Sequence, residues 1–262
     1  MSKIRVALLS AGLKPSNFEL ASQRISFDAG SLYGFADILI LNSQNLSEYC
    51  PKVFQIYKDL LNEEVKGYGY WLWKPEFILG AMQGRFGKFD QVVWIDSGCE
   101  INSNLISRWR FRDRIARTEI QGYWLHALRS SENEYSKSKV KDLFPELSLD
   151  AMQSPQIQAN YMHFSSQAAL QLVQEWHDLS IASISNFNFE ISESEHKNFV
   201  EHRNDQSVLS LLAKKHGFEQ SRLDLPTGRS RRSVVRGLTE PIWISRNRNG
   251  ASVVSTWVRQ IP

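Results

Sequence analysis

The sequence predicts an α/β protein with a mixed, mainly parallel sheet flanked by helices. Short apolar runs of strand length alternate with stretches of helical period. Strands alternating with helices imply a mainly parallel sheet covered on both faces. The chain has 262 residues, which suits one large domain of this class or two small ones. Hydrophobic residues make up 42% and charged residues 23%. That is ordinary globular usage and excludes a disordered chain. Two cysteines make no disulfide framework and fit a reducing compartment.

The elements follow in order. Residues 4–9 read as a first strand, and 37–41 as a short buried one. A helix is expected over 51–66, opened by Pro51 and stopped by Gly67. Another should begin at Pro75, with Phe77, Ile78, Ala81 and Met82 inward. Residues 91–95 form a strand that ends in Asp96, and 121–127 and 158–164 look like further strands. Helices are expected over 166–180 and 205–216. The polar stretch 129–154 reads as an excursion, a candidate lid, and 181–201 as a long loop. Trp109, Trp124, Trp176 and Trp257 are expected in the core. No apolar run approaches the ~20 residues that span a bilayer. The chain therefore reads as a cytoplasmic protein, with peripheral membrane contact left open.

Three constellations are candidates for chemistry. The first is Gly67-Tyr-Gly-Tyr-Trp-Leu-Trp-Lys-Pro75. Aromatic rings there could stack on a base or sugar, and Lys74 before a helix N-terminus suits an anion. The second is Val92-Val-Trp-Ile-Asp96-Ser-Gly-Cys-Glu100. Its carboxylate stands at a strand's carboxyl end, where open sheets bind ligands, and could hold a hydroxyl or a divalent cation. The third is Glu201-His-Arg-Asn-Asp205-Gln206, four of whose polar side chains crowd the start of an amphipathic helix. An ordinary turn explains the second, and helix capping part of the third, equally well. No phosphate loop, dinucleotide fingerprint, zinc motif or nucleophile elbow is present.

Together, in this order, the motifs resemble bacterial glycosyltransferases of the nucleotide-diphospho-sugar transferase type, associated with capsular and surface polysaccharide biosynthesis. Ser22-Gln-Arg24 and Pro241-Ile-Trp-Ile-Ser-Arg246 add to the likeness. The resemblance implies a single GT-A-like domain, with a nucleotide-sugar-binding half over about residues 1–128 and an acceptor-binding half over about 129–262. It implies sugar transfer from a nucleotide diphosphate donor to a hydroxyl of a glycan or lipid-linked acceptor. Tyr70, Trp71, Trp73, Lys74, Asp96, Ser97 and Gly98 would bind the donor. Asp205 would be the catalytic carboxylate, with Asp96 beside it. His202, Arg203, Gln206 and Arg246 would meet the acceptor or the diphosphate. Asp96 matches the first acid of a D-x-D element and would contact ribose or a Mn²⁺ or Mg²⁺ ion. Gly98 stands where the second acid belongs. Glu100, His202 or Asp205 would then have to complete a metal site, or Lys74 and arginines would neutralise the diphosphate directly. The alternatives are a glycan- or nucleotide-sugar-binding protein without catalysis and, less favoured, a nucleic-acid binder, for which no motif is present.

The net charge of +3 hides an asymmetry. From Arg222 to Pro262 there are eight arginines, no lysines and two acids, a net of +6, so the rest carries −3. The cluster Arg229-Ser-Arg-Arg-Ser-Val-Val-Arg236, with Arg246 and Arg248, could close over a diphosphate or meet an anionic membrane.

Overall fold

A computed structural model describes residues 4–14, 16–219, 225 and 238–248. Its centre is a five-stranded sheet that begins with β1 (Val6–Ala11), β2 (Asp37–Leu41) and β3 (Gln91–Ile95). The order is β2, β1, β3, then Tyr161–Phe164, then Tyr123–Trp124 at the edge. β1 is parallel to both β2 and β3. Tyr161–Phe164 runs antiparallel to β3 and to Tyr123–Trp124. Four of the five strands thus point one way, and the sheet is mixed.

β1 and β3 are buried at every position, because helices cover both faces. On one side Ala7, Leu9 and Trp94 pack with Phe77, Val173, Trp176 and Leu209, from the helices Trp73–Met82, Gln167–Ala182 and Asn204–Lys215. On the other side Val6, Leu8, Val93 and Ile95 pack with Ile25 and Phe111. These come from the helices Ser16–Leu32 and Leu105–Gln121, neither of which the sequence reading anticipated.

The helix expected over 51–66 is shorter, ending at Tyr57 with a 3-10 turn Lys58–Leu60. There Asn62 turns the chain by accepting from the N–H groups of Glu64 (2.9 Å) and Val65 (3.3 Å). The expected strand 121–127 breaks into Tyr123–Trp124 and Ala127–Ser131, the second paired with Pro155–Ile157. The candidate lid is tied down: Glu132, fully buried, meets Lys214 Nζ at 2.7 Å and Ser136 Oγ at 2.7 Å. Trp124 and Trp176 are buried, whereas Trp109 is 66% exposed, against expectation. The apolar pattern of its helix faces outward as well as inward. Trp257 and the 229–236 cluster lie outside the described residues. Among the described residues, no helix is long and apolar enough to cross a membrane.

Candidate active site

β3 delivers Asp96 to the sheet's carboxyl edge. The helix that carries Lys74 begins at Trp73 rather than Pro75. Pro75 is tolerated in the first turn, where backbone N–H groups lack intrahelical partners. This shift carries Lys74 into the protein instead of leaving it at the helix entrance. It is 2% exposed. Its Nζ lies 3.1 Å from Asp96 Oδ1 and 2.7 Å from Asp205 Oδ2. It also donates to the carbonyl of Ala159 at 3.3 Å and sits 5.1 Å from the Trp94 ring centre. The Trp94 indole donates to Asp96 Oδ1 at 2.7 Å. One residue from each motif therefore meets at one ammonium.

The two carboxylates differ in setting. The Asp96 side chain is 34% exposed and that of Asp205 only 8%. Burial pushes the Asp205 carboxyl up to about 6, with the Lys74 charge pulling the other way and Asp96 adding to the push. For Lys74, burial lowers the pKa, but the two carboxylates more than offset it, so the ammonium is held above its ordinary value. Neighbouring carboxyls in unlike environments are a recurrent property of acid–base sites.

Backbone strain collects at the same place. Among the described residues, five non-glycine residues have positive φ: Tyr68, Tyr70, Trp71, Asn204 and Arg246. All five fall in segments singled out from the sequence. Residues 67–71 are all left-handed, with Gly67 at φ 66° and Gly69 at φ 91°. The turn is held by Tyr70 N–H to Lys66 O (2.8 Å) and by the Trp73 indole, which donates to the carbonyls of Gly67 and Tyr68 (3.1 Å each). Trp73 thus anchors the turn, while half-buried Tyr68, Tyr70 and Trp71 flank it. Left-handed geometry costs a non-glycine residue roughly 1–2 kcal/mol, and it persists where the surroundings over-determine it, often at working sites.

The turn after Asp96 is built from distant pieces. Arg24 donates from one Nη to the carbonyls of Ser97 (2.9 Å), Cys99 (2.7 Å) and Asn247 (3.2 Å). The Asn247 N–H donates to Gly98 O at 2.9 Å, and Glu100–Ile101 pairs with Ile242–Trp243. Arg246 is therefore laid across Gly98 with an exposed side chain. Arg203 stacks 3.4 Å from the Tyr135 ring centre. Its pKa is lowered by burial and by Arg246, partly offset by Tyr135 and Glu201.

Other sequence-selected residues are committed to the protein. Gln206 accepts from the N–H of Ala159 (3.4 Å) and donates to Gln156 (2.6 Å). His202 is buried and bonds the carbonyl of Asn186 at 2.9 Å. Burial and nearby Lys137 hold its pKa down to about 3. Residues absent from the sequence reading include Phe189, which meets Tyr70 edge to face at 5.6 Å, and the carbonyl of Ala159.

Among the described residues, the donor set does not fit a Mg²⁺ or Mn²⁺ ion. Asp96 and Asp205 both hold the Lys74 ammonium. Buried Glu100 accepts from Asn247 Nδ2 at 3.2 Å, and His202 is turned to Asn186. Among the described residues, no three His, Cys, Asp or Glu side chains gather as a metal site.

No family model matches the chain, and no curated protein sequence does. Two solved structures of similar course are mouse xyloside xylosyltransferase 1 in its apo form and the apo form of the glycosyltransferase GlyE of Streptococcus pneumoniae TIGR4. The first gives a TM-score of 0.43 at 11% identity, covering 91% of this chain and 97% of that one. The second gives 0.40 at 17% identity, covering 85% of this chain and 46% of GlyE, so the chain spans under half of that protein.

Proposed function

We propose that the protein is a glycosyltransferase that moves a sugar from a nucleotide diphosphate donor to a hydroxyl of a glycan or lipid-linked acceptor, on a GT-A-like fold. The observation that carries this reading is the Lys74 ammonium between Asp96 and Asp205 at the carboxyl edge of the sheet. The motif resemblance supports it. Asp96, the more open carboxylate, would accept hydrogen bonds from donor hydroxyls. Asp205 would take the proton of the acceptor hydroxyl, since a carboxylate raised toward neutrality is better matched to that task. Lys74 holds both carboxylates in place. Exposed Arg246, beside Gly98, would pair with the diphosphate, whose leaving charge needs an aimed cation. Tyr70, Trp71 and Phe189 would flank the sugar or base.

The test is a thermal-shift panel of nucleotide sugars with and without Mn²⁺, followed by transfer assays with the donor that binds. A donor that binds the native state raises the melting temperature by mass action. Asp205→Asn should lower kcat by about 100-fold or more with folding intact. Wild-type activity should rise with pH through about 6, as Asp205 loses its proton. Near-normal turnover of the variant removes Asp205 from catalysis. Donor binding without transfer favours the binding-protein reading.

A further inference from the structure

The helix Leu105–Gln121 carries five arginines and two acids, a net of +3. One face, with Phe111, Ile115 and Thr118, is buried against the sheet. The opposite face is open and, apart from the Asp113–Arg117 ion pair, apolar: Leu105 is 82% exposed, Ile106 52%, Trp109 66% and Ile120 86%. With ~100° between successive residues, Leu105, Trp109, Ala116 and Ile120 fall within about 60° of each other around the axis. They form one stripe along a helix of 17 residues, about 25 Å long. Arg110 and Arg114 are drawn to Glu240, and Arg117 to Asp113. Exposed Arg112 borders the stripe together with Glu119, and half-buried Arg108 lies next to them around the axis; neither arginine is in an ion pair among the described residues.

We propose that this face docks the protein on an anionic lipid bilayer. An apolar stripe with a tryptophan, on a helix whose arginines outnumber its acids five to two, is what an interfacial helix presents to acidic headgroups. A second copy of the chain fits less well. A two-fold interface sets the same patch against itself, and would bring the unpaired arginines of both copies together. The helix also starts at the sheet end that bears Asp96, because β3 runs toward that end and the helix returns from it to the next strand. Docking through Leu105, Ile106 and Trp109 would bring the candidate site's edge to the bilayer. This inference goes beyond the transfer reading and does not need it.

The experiment is co-sedimentation of the full chain with vesicles of phosphatidylcholine alone or with roughly one-third phosphatidylglycerol. Binding is expected only to the anionic vesicles, weakening as salt rises. The double variants Leu105→Gln/Trp109→Gln and Arg108→Gln/Arg112→Gln should each lower the vesicle partition about 10-fold or more. Thermal unfolding of Leu105→Gln/Trp109→Gln should be unchanged, since both side chains are exposed. Arg108 is half-buried, so Arg112→Gln alone, at an exposed position, is measured beside the arginine pair. It should weaken binding in the same direction without a change in unfolding. Failure of the wild type to bind overturns the proposal. So does undiminished binding by either double variant while a variant with the 229–236 arginines neutralised loses it. A wild-type dimer in gel filtration that Leu105→Gln/Trp109→Gln dissolves would make the face a contact between copies and also overturn it.

Discussion

Lys74 is held by charge as much as by packing. Its ammonium is buried with two carboxylates, a carbonyl and an indole face around it. Removing one partner of a buried ion pair costs about 3–5 kcal/mol, because the charge left behind has lost its water as well as its partner. Lys74→Met should therefore destabilise the protein by about that much in urea unfolding. Lys74→Met/Asp205→Asn should recover part of the loss, since it removes the deeper orphaned charge. If the double variant is no more stable than the single one, the pair is not the unit described. At this scale the sequence was informative about residue types. Lys74, Asp96 and Asp205 stand out as charged residues at the ends of apolar elements. Nothing in their spacing said that one ammonium would hold both acids, or that His202 and Gln206 would be spent on Asn186 and Gln156.

At the scale of elements, the left-handed turn 67–71 is the unusual piece. A Cβ on Gly67 would lie 2.3 Å from the Trp71 ring, at a φ of 66° that disfavours any side chain. Gly67→Ala should cost about 1–2 kcal/mol in backbone strain, with displacement of Trp71 in addition. The expected readouts are a lower melting temperature and weaker donor binding. Unchanged stability would mean that the turn is not so tightly built. The density of glycine and aromatic residues was legible in the sequence, but the conformation was not. Tyr68 and Tyr70 have no intrinsic taste for positive φ, which is imposed by the Trp73 indole and the Lys66 carbonyl. The helix Leu105–Gln121 went unread for a related reason. Its apolar residues lie on two faces, so no single helical stripe appears in the sequence.

On the scale of the whole molecule, Arg24 ties together pieces that are remote in sequence. Its guanidinium meets carbonyls 73, 75 and 223 residues away. Hydrogen bonds to charged groups contribute about 1.5–3 kcal/mol each, and buried carbonyls left unpaired add to the loss. Arg24→Ala should lower unfolding stability by about 3 kcal/mol or more. It should also weaken donor binding, because Arg246 would lose its seat over Gly98. A stable variant with unaltered donor affinity would separate the two segments.

The sequence by itself determined the α/β class and the bounds of the strands Asp37–Leu41 and Gln91–Ile95, and it singled out the three segments whose residues meet at Lys74. These follow from local periodicity, turn chemistry and charge at element ends, which act over a few residues. Only the tertiary structure decided that Tyr161–Phe164 runs against β3, that Asp205 closes on Lys74, that Arg246 lies across Gly98, and that Trp109 faces outward. Those depend on which distant surfaces bury each other and on where desolvated charges find partners, and neither is written in the spacing of residues along the chain.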